Sequence, residues 1–264
     1  MFSVGTDPEL FLVNKAGVLK SSIGKIGGTK ANPKETAHGW VQEDNVAVEF
    51  NIKPAFSEDE FVNNCKLVLG DISEIIKPLD LKLDIRASGI FDPLELQHPK
   101  ALEAGCEPDY DAWELIINEK PNLFGSLLRS CGGHLHVAFE SANLHPLNRP
   151  KLVRILDLLA GVPSILHDSD VGRRSLYGKA GAHRPKVVAR GDAYDGVEYR
   201  TLSNFWLQSE DKMRWAYRAV SRAVTEFDKW IEIAEANKDI IISTINNSDS
   251  TSAKSLVSSF NLEV

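Results

Sequence analysis

The hydrophobic residues of this chain recur at two spacings, one typical of strands and the other typical of helices. Apolar and polar residues alternate in several short stretches, which is the period expected of a strand with one buried face. This alternation predicts strands over residues 1–13, 46–51, 79–85, 131–139 and 196–200.

A helical spacing follows the second predicted strand. Ser57 and Glu60 form a capping box, the arrangement that satisfies unpaired backbone N–H groups at a helix start. Apolar residues at steps of three and four over residues 61–75 then predict a buried helix face, and Pro78 ends the helix.

Two further helices are predicted in the second half of the chain. One begins with Asn148 and Pro150 and bends near residues 161–163, and a long one covers residues 209–236. The serine-rich segment 246–259 is predicted to be partly disordered.

The pattern of these elements predicts the fold class. Strands that alternate apolar and polar residues are typical of an antiparallel sheet with one polar face, whereas buried parallel strands are more uniformly apolar. Helices lie between and after the strands, so the predicted class is α+β. The chain has 264 residues, of which 43% are hydrophobic, and is therefore long enough to bury a large core.

Polar side chains occupy paired positions on four of the predicted strands. In each pair one residue separates the two, so both side chains lie on the same face of the strand. The pairs are Asp7 with Glu9, Glu49 with Asn51, His134 with His136, and Glu198 with Arg200. For the histidines alone, two hydrogen-bonded or exposed imidazoles on a half-buried strand are the alternative interpretation.

Together these pairs indicate a cation site. If their polar faces line one surface, the clustered carboxylates must either take up protons or bind cations. Oxygen ligands with one or two imidazoles favour Mg²⁺ or Mn²⁺ over structural Zn²⁺. Mg²⁺ held by carboxylates commonly takes phosphate as a further ligand, which suggests a nucleotide such as ATP.

A basic stretch over residues 173–190 provides the matching positive charge. The residues predicted to neutralise a polyphosphate are Lys179, Arg184, Lys186 and Arg190. A solvated basic loop is the alternative interpretation of this stretch. The glycine-rich loop 27–30 is also open to two interpretations, an anion-binding loop or a mobile solvated one.

The overall charge limits the classes of partner. The chain carries 37 acidic residues against 30 Lys and Arg, a net charge of −7, so neither a nucleic-acid surface nor a membrane surface is predicted. Three widely spaced cysteines and an N-terminus without a signal-peptide pattern predict a cytoplasmic protein. No role is assigned to Cys106 or to the irregular segment 91–112.

Six short motifs occur in a fixed order: GTDPE, GGTK, QEDNVAVEFN, GGHLH, YGKAGAHRPK and GVEYR. In this order they resemble the phage-type COOH-NH2 ligases of type 2, which are amidoligases of the glutamine synthetase and glutamate–cysteine ligase superfamily. The resemblance extends from Gly5 to about Asn204. It implies one catalytic domain over residues 1–240, followed by a C-terminal tail over residues 241–264.

The resemblance also implies a half-barrel sheet with helices on its convex side and with ATP and divalent metal ions in its concavity. The metal ligands that it implies are Asp7, Glu9, Glu49, His134 and Glu198. The residues that it places at the ATP phosphates are His136, Lys179, Arg184 and Lys186. Arg184 and Arg200 are the expected catalytic residues, and Asn51 and Arg200 are expected to contact substrate.

The reaction implied by the resemblance has two steps. ATP phosphorylates a carboxylate to give an acyl phosphate, and an amine then attacks it to give an amide and phosphate. The identities of the acid and the amine, and the oligomeric state, stay open. The alternatives are a guanidine-type kinase of the same superfamily, a metal-dependent hydrolase that needs no ATP, and a non-catalytic binding protein that keeps the fold.

Overall fold

The computed structural model describes residues 1–103, 108–140, 148–187 and 194–264, so Cys106 and Arg190 lie outside the described residues. The strands are β1 (Phe2–Thr6), β2 (Glu9–Val13), β3 (Leu19–Lys20), β4 (Lys34–Glu35), β5 (Gly39–Asp44), β6 (Ala47–Ile52), β7 (Lys82–Asp84), β8 (Ser88–Ile90), β9 (Tyr110–Asp111), β10 (Ile116–Ile117), β11 (Leu128–Ser130), β12 (Leu135–Glu140), β13 (Ala182–Val187) and β14 (Tyr194–Tyr199). The α-helices are α1 (Glu58–Ile76), α2 (Asn148–Leu156), α3 (Val162–His167), α4 (Glu210–Thr225), α5 (Phe227–Ala236), α6 (Lys238–Asn246) and α7 (Ser250–Phe260). Among the described residues, no helix combines the length and the apolar character needed to span a bilayer.

The two largest sheets are antiparallel and together form the predicted curled half-barrel. One has the strand order β1-β12-β14-β13-β9-β10, and the other has the order β3-β2-β6-β5-β4, with β7 also paired to β2. The chain passes from the first sheet to the second at Asp7 and Pro8. Proline has no backbone N–H to give to a strand ladder, so the strand predicted over residues 1–13 is divided there. This crossing places Asp7 between the two sheets.

Alternation along the strands separates an apolar face from a polar face, as the sequence predicts. Leu135 of β12 and Val48 of β6 are fully buried in the core that the helices cover. Helix α1 packs on β5 and β6, and α2 packs on β13 and β14. The neighbouring side chains, such as His136 and Glu49, face the other side of the sheets because side chains alternate.

The helix predicted from the capping box is confirmed as α1. Ser57 Oγ accepts a hydrogen bond from Glu60 N at 3.2 Å, and Glu60 Oε2 accepts one from Phe56 N at 2.8 Å. A 3₁₀ turn, Lys77–Leu79, follows the helix directly.

Three predicted elements differ from the observed ones. The long helix predicted over residues 209–236 is broken at Glu226 into α4 and α5. The sequence pattern did not show the break, because one residue with a non-helical backbone leaves the apolar spacing intact. The strand predicted over residues 79–85 is confined to β7. The prediction of partial disorder near the C-terminus was wrong. Helix α7 occupies that segment, with Asp249 as its N-cap and Ala253 and Leu256 buried.

The irregular segment that precedes β9 is anchored to the second sheet. Asn45 Nδ2 donates to the carbonyl oxygen atoms of Lys100, Ala101 and Glu103. The buried Arg129 donates to Ala101 O at 2.8 Å through Nη2. These bonds bring Lys100 and Glu103 to the polar side of the half-barrel, where both line the cavity described below.

Candidate functional site

A row of polar residues crosses the first sheet on its polar face. Strand register pairs His136 of β12 with Glu198 of β14, and pairs Glu198 in turn with Arg184 of β13. We call these three residues the mixed-charge row. Because neighbouring strands lie about 5 Å apart, register alone brings an imidazole, a carboxylate and a guanidinium into one line.

Asp7 completes a cluster of possible metal-ligand atoms at one end of this row. Its Oδ1 lies 3.0 Å from His136 Nε2 and 3.1 Å from His134 Nδ1. One donor atom from each of Asp7, His136 and Glu198 lies within 4.8 Å of the other two. The strand break at Pro8 and the register of β12 with β14 thus unite residues that are distant in sequence.

Three cations surround Glu198. Arg200 Nη1 donates to Glu198 Oε1, and Arg200 also reaches Asp109 Oδ2 through its Nε at 3.3 Å. Lys186 Nζ lies 3.2 Å from Glu198 Oε2, and Arg184 Nη1 lies 3.8 Å from Oε1. The Lys186 side chain is 40% exposed and that of Arg200 is 10% exposed, so positive charge extends from the interior to the solvent.

The charges of this cluster keep its carboxylates ionised. Burial favours the protonated form of Asp7, but the charges of His136 and His134 and the hydrogen bond of His134 outweigh it and hold the pKa of Asp7 well below its ordinary value. Burial and Asp7 also disfavour the Glu198 anion, yet Arg200 and the two histidines lower the pKa of Glu198 to about 2. Both side chains are therefore anionic at neutral pH.

The environment of His134 differs from that of His136. Burial and the charge of Arg200 lower the pKa of His134 to about 4, so its imidazole is neutral at pH 7. Its Nδ1 lies 3.2 Å from Arg200 Nη1 and 3.6 Å from Glu198 Oε1. Its Nε2 lies 2.2 Å from the point that a Cβ on Gly132 would occupy. The resemblance assigned metal binding to His134 and phosphate contact to His136, whereas His136 is the histidine in the cluster of donor atoms.

A second row of polar residues crosses the other sheet. Strand register pairs Glu9 of β2 with Glu49 of β6, and pairs Glu49 with Gln42 of β5. We call these three residues the acidic row. Gln42 Nε2 donates to Glu49 Oε2 at 2.8 Å, and the backbone N–H of Gly132 donates to Glu9 Oε2 at 2.7 Å.

The carboxyl groups of the acidic row hold their protons more tightly than usual. Burial, followed by the charge of Asp44, raises the pKa of Glu9 to about 7. Burial and the charges of Asp7, Asp44 and Glu9 raise the pKa of Glu49 well above its ordinary value. Because Glu9 and Glu49 face each other, ionisation of both is unfavourable unless a cation enters between them.

A cavity of about 260 Å³ lies where the two sheets meet. Its acidic lining includes Asp7, Glu9, Asp44 and Glu49, and its basic lining includes Arg129, Arg173, Arg184 and Arg200. Its apolar lining includes Phe11, Val46, Leu123 and Leu176. The cavity therefore presents acidic groups mainly from the second sheet and basic groups from the first sheet, from β11 and from the segment that holds Arg173.

The donor set beside this cavity fits a divalent cation. Two anionic carboxylates and one imidazole match the ligand preference of Mg²⁺ or Mn²⁺. His136 Nε2 is buried and, although it lies 3.0 Å from Asp7 Oδ1, the contact is outside hydrogen-bond geometry. A buried ring nitrogen in this situation is suited to a metal ion, so these residues fit the cation that the sequence predicts.

Five of the described residues that the sequence predicts for the site are absent from the cavity lining. His136, Glu198 and Lys186 belong to the charged cluster beside the cavity, whereas Lys179 and Asn51 do not. Lys179 is exposed, and its carbonyl oxygen accepts a hydrogen bond from Thr201 Oγ1 at 3.1 Å. Asn51 is on the same face of β6 as Glu49 but pairs with Trp40, beyond the lining residues. The geometry therefore adds no support to a phosphate-binding role for Lys179 or a substrate contact for Asn51.

The glycine-rich loop over residues 27–30 is held at the cavity by Glu43. Glu43 Oε1 accepts hydrogen bonds from Ile26 N at 3.2 Å and from Gly27 N at 2.9 Å. Thr29 and Lys30 line the cavity. The position of this loop at the cavity fits an anion-binding loop better than a mobile solvated one. The Gly27 N–H is already hydrogen-bonded to Glu43.

Sequence reasoning missed three residues that hold the charged groups in place. Asp109 binds Arg200 Nε, and Gln42 binds Glu49. Arg173 is 3% exposed and donates to Thr201 O at 2.8 Å and to Arg200 O at 3.0 Å. Gln42 is the closest of them in sequence to its partner, since the β5–β6 hairpin places it opposite Glu49.

The observed fold is a mixed α/β half-barrel that carries a charged cavity. No protein-family model matches the chain, and no curated protein matches it. Among solved structures, the chain is similar to the glutamine synthetase of Plasmodium falciparum, with a TM-score of 0.41 and 9% sequence identity. The similarity covers 83% of this chain and 51% of that chain, so this chain spans about half the length of that protein. A similarity of this size assigns no activity.

Proposed function

We propose that this protein is an ATP-dependent ligase that joins a carboxylate to an amine. The observation that carries the proposal is the cluster of Asp7, His136 and Glu198, whose donor atoms lie within 4.8 Å of one another beside Arg200 and Lys186. Acidic metal ligands next to several cations are the groups required to bind a nucleotide with its divalent ion. The ordered resemblance to the amidoligases supports the same reaction class.

In this proposal Asp7, His136 and Glu198 hold Mg²⁺ or Mn²⁺. When bound, the ion supplies charge that stabilises phosphate oxygen atoms during phosphoryl transfer. Arg184 and Lys186 neutralise the phosphates from the strand that borders Glu198. The cavity beside them, which has room for a small organic acid, receives the second substrate.

The first chemical step forms a bond between a carboxylate oxygen of the substrate and the γ-phosphorus of ATP, and it breaks the bond to ADP. Arg184 and Arg200, which both lie beside Glu198, would face the negative charge that accumulates on the transferred group. Their contribution is electrostatic, because fixed positive charge stabilises that state without reorganising.

The second step requires an unprotonated amine. The amine nitrogen attacks the acyl carbon, and phosphate departs with the bonding electron pair. An ammonium group must first lose a proton, and Glu9 has a pKa of about 7, which suits a base that works near neutral pH. We therefore assign reception of the amine to the acidic row.

The test is an assay with ATP, Mg²⁺, hydroxylamine and a panel of carboxylic acids. Hydroxylamine traps an acyl phosphate as a hydroxamate, and ADP release is followed in parallel. We expect hydroxamate from at least one acid and a loss of both signals in Glu198→Gln. The matched control is Glu95→Gln, because Glu95 pairs with Lys20 and Ser21 N outside the cavity lining.

The same assay separates the alternative functions. A stable phosphorylated acceptor without hydroxamate would indicate a kinase, and turnover without ATP would indicate a hydrolase. If no acid yields hydroxamate and ADP release does not depend on Glu198, the ligase proposal is wrong.

A further inference from the structure

Asp157 is a fully buried carboxylate on the helical side of the first sheet. It begins the π-helical turn Asp157–Gly161, which connects α2 to α3. Its Oδ2 accepts hydrogen bonds from Trp113 Nε1 at 2.7 Å and from Gly181 N at 2.6 Å. Its Oδ1 accepts from Tyr199 OH at 2.8 Å and from Thr201 Oγ1 at 3.1 Å.

Each of the three segments joined by Asp157 carries a charged group of the candidate site. Tyr199 and Thr201 flank Arg200 in the chain. Gly181 immediately precedes β13, the strand of Arg184 and Lys186. Trp113 lies just after β9, and Asp109, which accepts a hydrogen bond from Arg200 Nε, lies just before it. A single carboxylate thus binds the side chains on both sides of Arg200 and the backbone at the start of the strand that carries the other two cations.

The hydrogen-bonding chemistry explains why an acid occupies this position. An indole N–H and a backbone N–H can only donate, and an ionised carboxylate can accept on both oxygen atoms. Burial raises the pKa of Asp157 to about 7 in spite of its four donors. Assays at pH 8 therefore examine the ionised form.

Arg173 holds the same segment from the other side. It donates to the carbonyl oxygen atoms of Arg200 and Thr201, and Gly178 leaves the space for its guanidinium, since an added Cβ would come within 1.7 Å of Arg173 Nη1. Arg173 also lines the cavity, whereas Asp157 does not. Any effect of Asp157 on a ligand must therefore act through the groups that it positions.

We propose that Asp157 is a positioning residue that sets the location of Arg200, Arg184 and Lys186 relative to Glu198. The functional part of this inference rests on the proposed ligase activity. The structural part does not, because it concerns only where the three cations lie.

Two substitutions distinguish the effect of the hydrogen-bond network from the effect of the negative charge of Asp157. In Asp157→Asn, the amide oxygen can accept from Trp113 and Gly181 while the amide NH₂ donates to the hydroxyls of Tyr199 and Thr201, which can act as acceptors. In Asp157→Ala the network is lost. Ser164→Ala is the control, because Ser164 is also buried and its hydroxyl donates to Gly161 O at 2.6 Å, away from the Asp157 carboxylate.

For Asp157→Ala we expect the kcat of ADP release at pH 8 to fall about 100-fold, the typical effect of a catalytic group displaced by about 1 Å. The KM for ATP should rise, because Arg184 and Lys186 contact the ATP phosphates in the proposed function. Amide hydrogen exchange over residues 196–203 should become faster. Asp157→Asn should restore most of the kcat and of the exchange protection. Ser164→Ala should leave kcat unchanged. If Asp157→Ala does not fold, Thr201→Val, which removes one donor, should give an intermediate loss.

The inference is overturned if the folded Asp157→Ala, or Thr201→Val in its place, keeps both wild-type exchange and wild-type kcat. It is also overturned if Asp157→Asn fails to restore either signal in a folded protein. Absence of ADP release from the wild-type protein would instead contradict the ligase proposal. In that case the exchange data and a crystal structure of Asp157→Ala still decide the positioning role. Displaced Arg200 contacts with Glu198 and Asp109 would support it, and unchanged contacts would overturn it.

Discussion

The two rows of the half-barrel use the same kind of side chain in opposite electrostatic settings. In the mixed-charge row, Glu198 is as deeply buried as any acid of the site, yet cations hold its pKa at about 2. In the acidic row, Glu49 faces Glu9 and the amide of Gln42, and its pKa is raised well above the ordinary value. The neighbours, and not burial itself, determine whether a buried carboxylate is charged.

This difference in pKa suits the two rows to different chemical roles. Carboxylates that stay ionised at neutral pH suit permanent metal ligands. Carboxyl groups whose pKa is raised suit proton acceptance, or they suit a cation that arrives with the substrate. The half-barrel curls the two sheets around one cavity, which Asp7, Glu9 and Glu49 all line. In the proposed function, both kinds of acid would therefore act on the same ligand.

The largest expected effect is that of Glu198→Gln. The substitution leaves Arg200 buried with Asp109 as its remaining carboxylate contact, and removing one partner of a buried ion pair costs about 3 kcal/mol of unfolding free energy. Loss of a metal ligand beside the phosphates should lower turnover about 1000-fold. Denaturant unfolding and ADP release measure the two effects, and Glu95→Gln is the control for both.

The second prediction concerns pH. The pKa of Glu9 is about 7 in the folded protein and about 4.3 in an unfolded chain, so the folded state binds this proton more tightly. Its contribution to stability is complete below pH 4 and is lost as pH rises through 7, roughly 2 to 3 kcal/mol between pH 5 and pH 8. His134 acts in the opposite direction below pH 6.5, because its pKa is lowered to about 4.

A comparison of wild-type protein with Glu9→Gln isolates this contribution. Both are unfolded in denaturant between pH 5 and pH 8 in the presence of a chelator. The wild-type advantage over Glu9→Gln should shrink as pH rises. A constant difference across this range would show that Glu9 titrates normally and that the contrast between the rows is incorrect.

The smallest expected effect is that of Glu49→Gln, which should raise the free energy of unfolding, whereas Glu198→Gln should lower it. Glu49→Gln removes one of two facing acids and keeps a side chain that can bond to Gln42, so at pH 8 the metal-free protein should gain about 1 kcal/mol. Turnover should nevertheless fall, because the cavity loses an acid. Thermal unfolding and ADP release check the two signs together. If Glu49→Gln instead destabilises the protein, the acids of the acidic row do not repel each other and the proposed electrostatic contrast between the rows is incorrect.

The sequence predicted much of the fold because its signals there are local. Alternation gave the polar faces, and Ser57 with Glu60 gave the start of α1. The division at Asp7 and Pro8 also has a local cause in proline, but the partner sheets of β1 and β2 depend on pairings across the whole chain. The helix α7 was missed because its serine content hides a short buried stripe.

The candidate site was less predictable because it depends on register between strands. A spacing of two shows that His134 and His136 share a face, but it does not show which of them lies opposite Glu198. Asp157 and Arg173 carry no periodic signal, and the partners of their side chains are 24 to 44 residues away. Such residues emerge only once the segments that they join are placed in space.

The most direct test of the account is X-ray diffraction from crystals soaked in Mn²⁺, with an anomalous map to locate the ion. The account predicts a peak bonded to Asp7, His136 and Glu198, with oxygen atoms at about 2.1 Å, the distance typical of Mg²⁺ sites. It also predicts that Glu198→Gln abolishes this peak and that Glu95→Gln keeps it. An ion bound only between Glu9 and Glu49, or a soaked crystal without a peak at the mixed-charge row, would contradict the account.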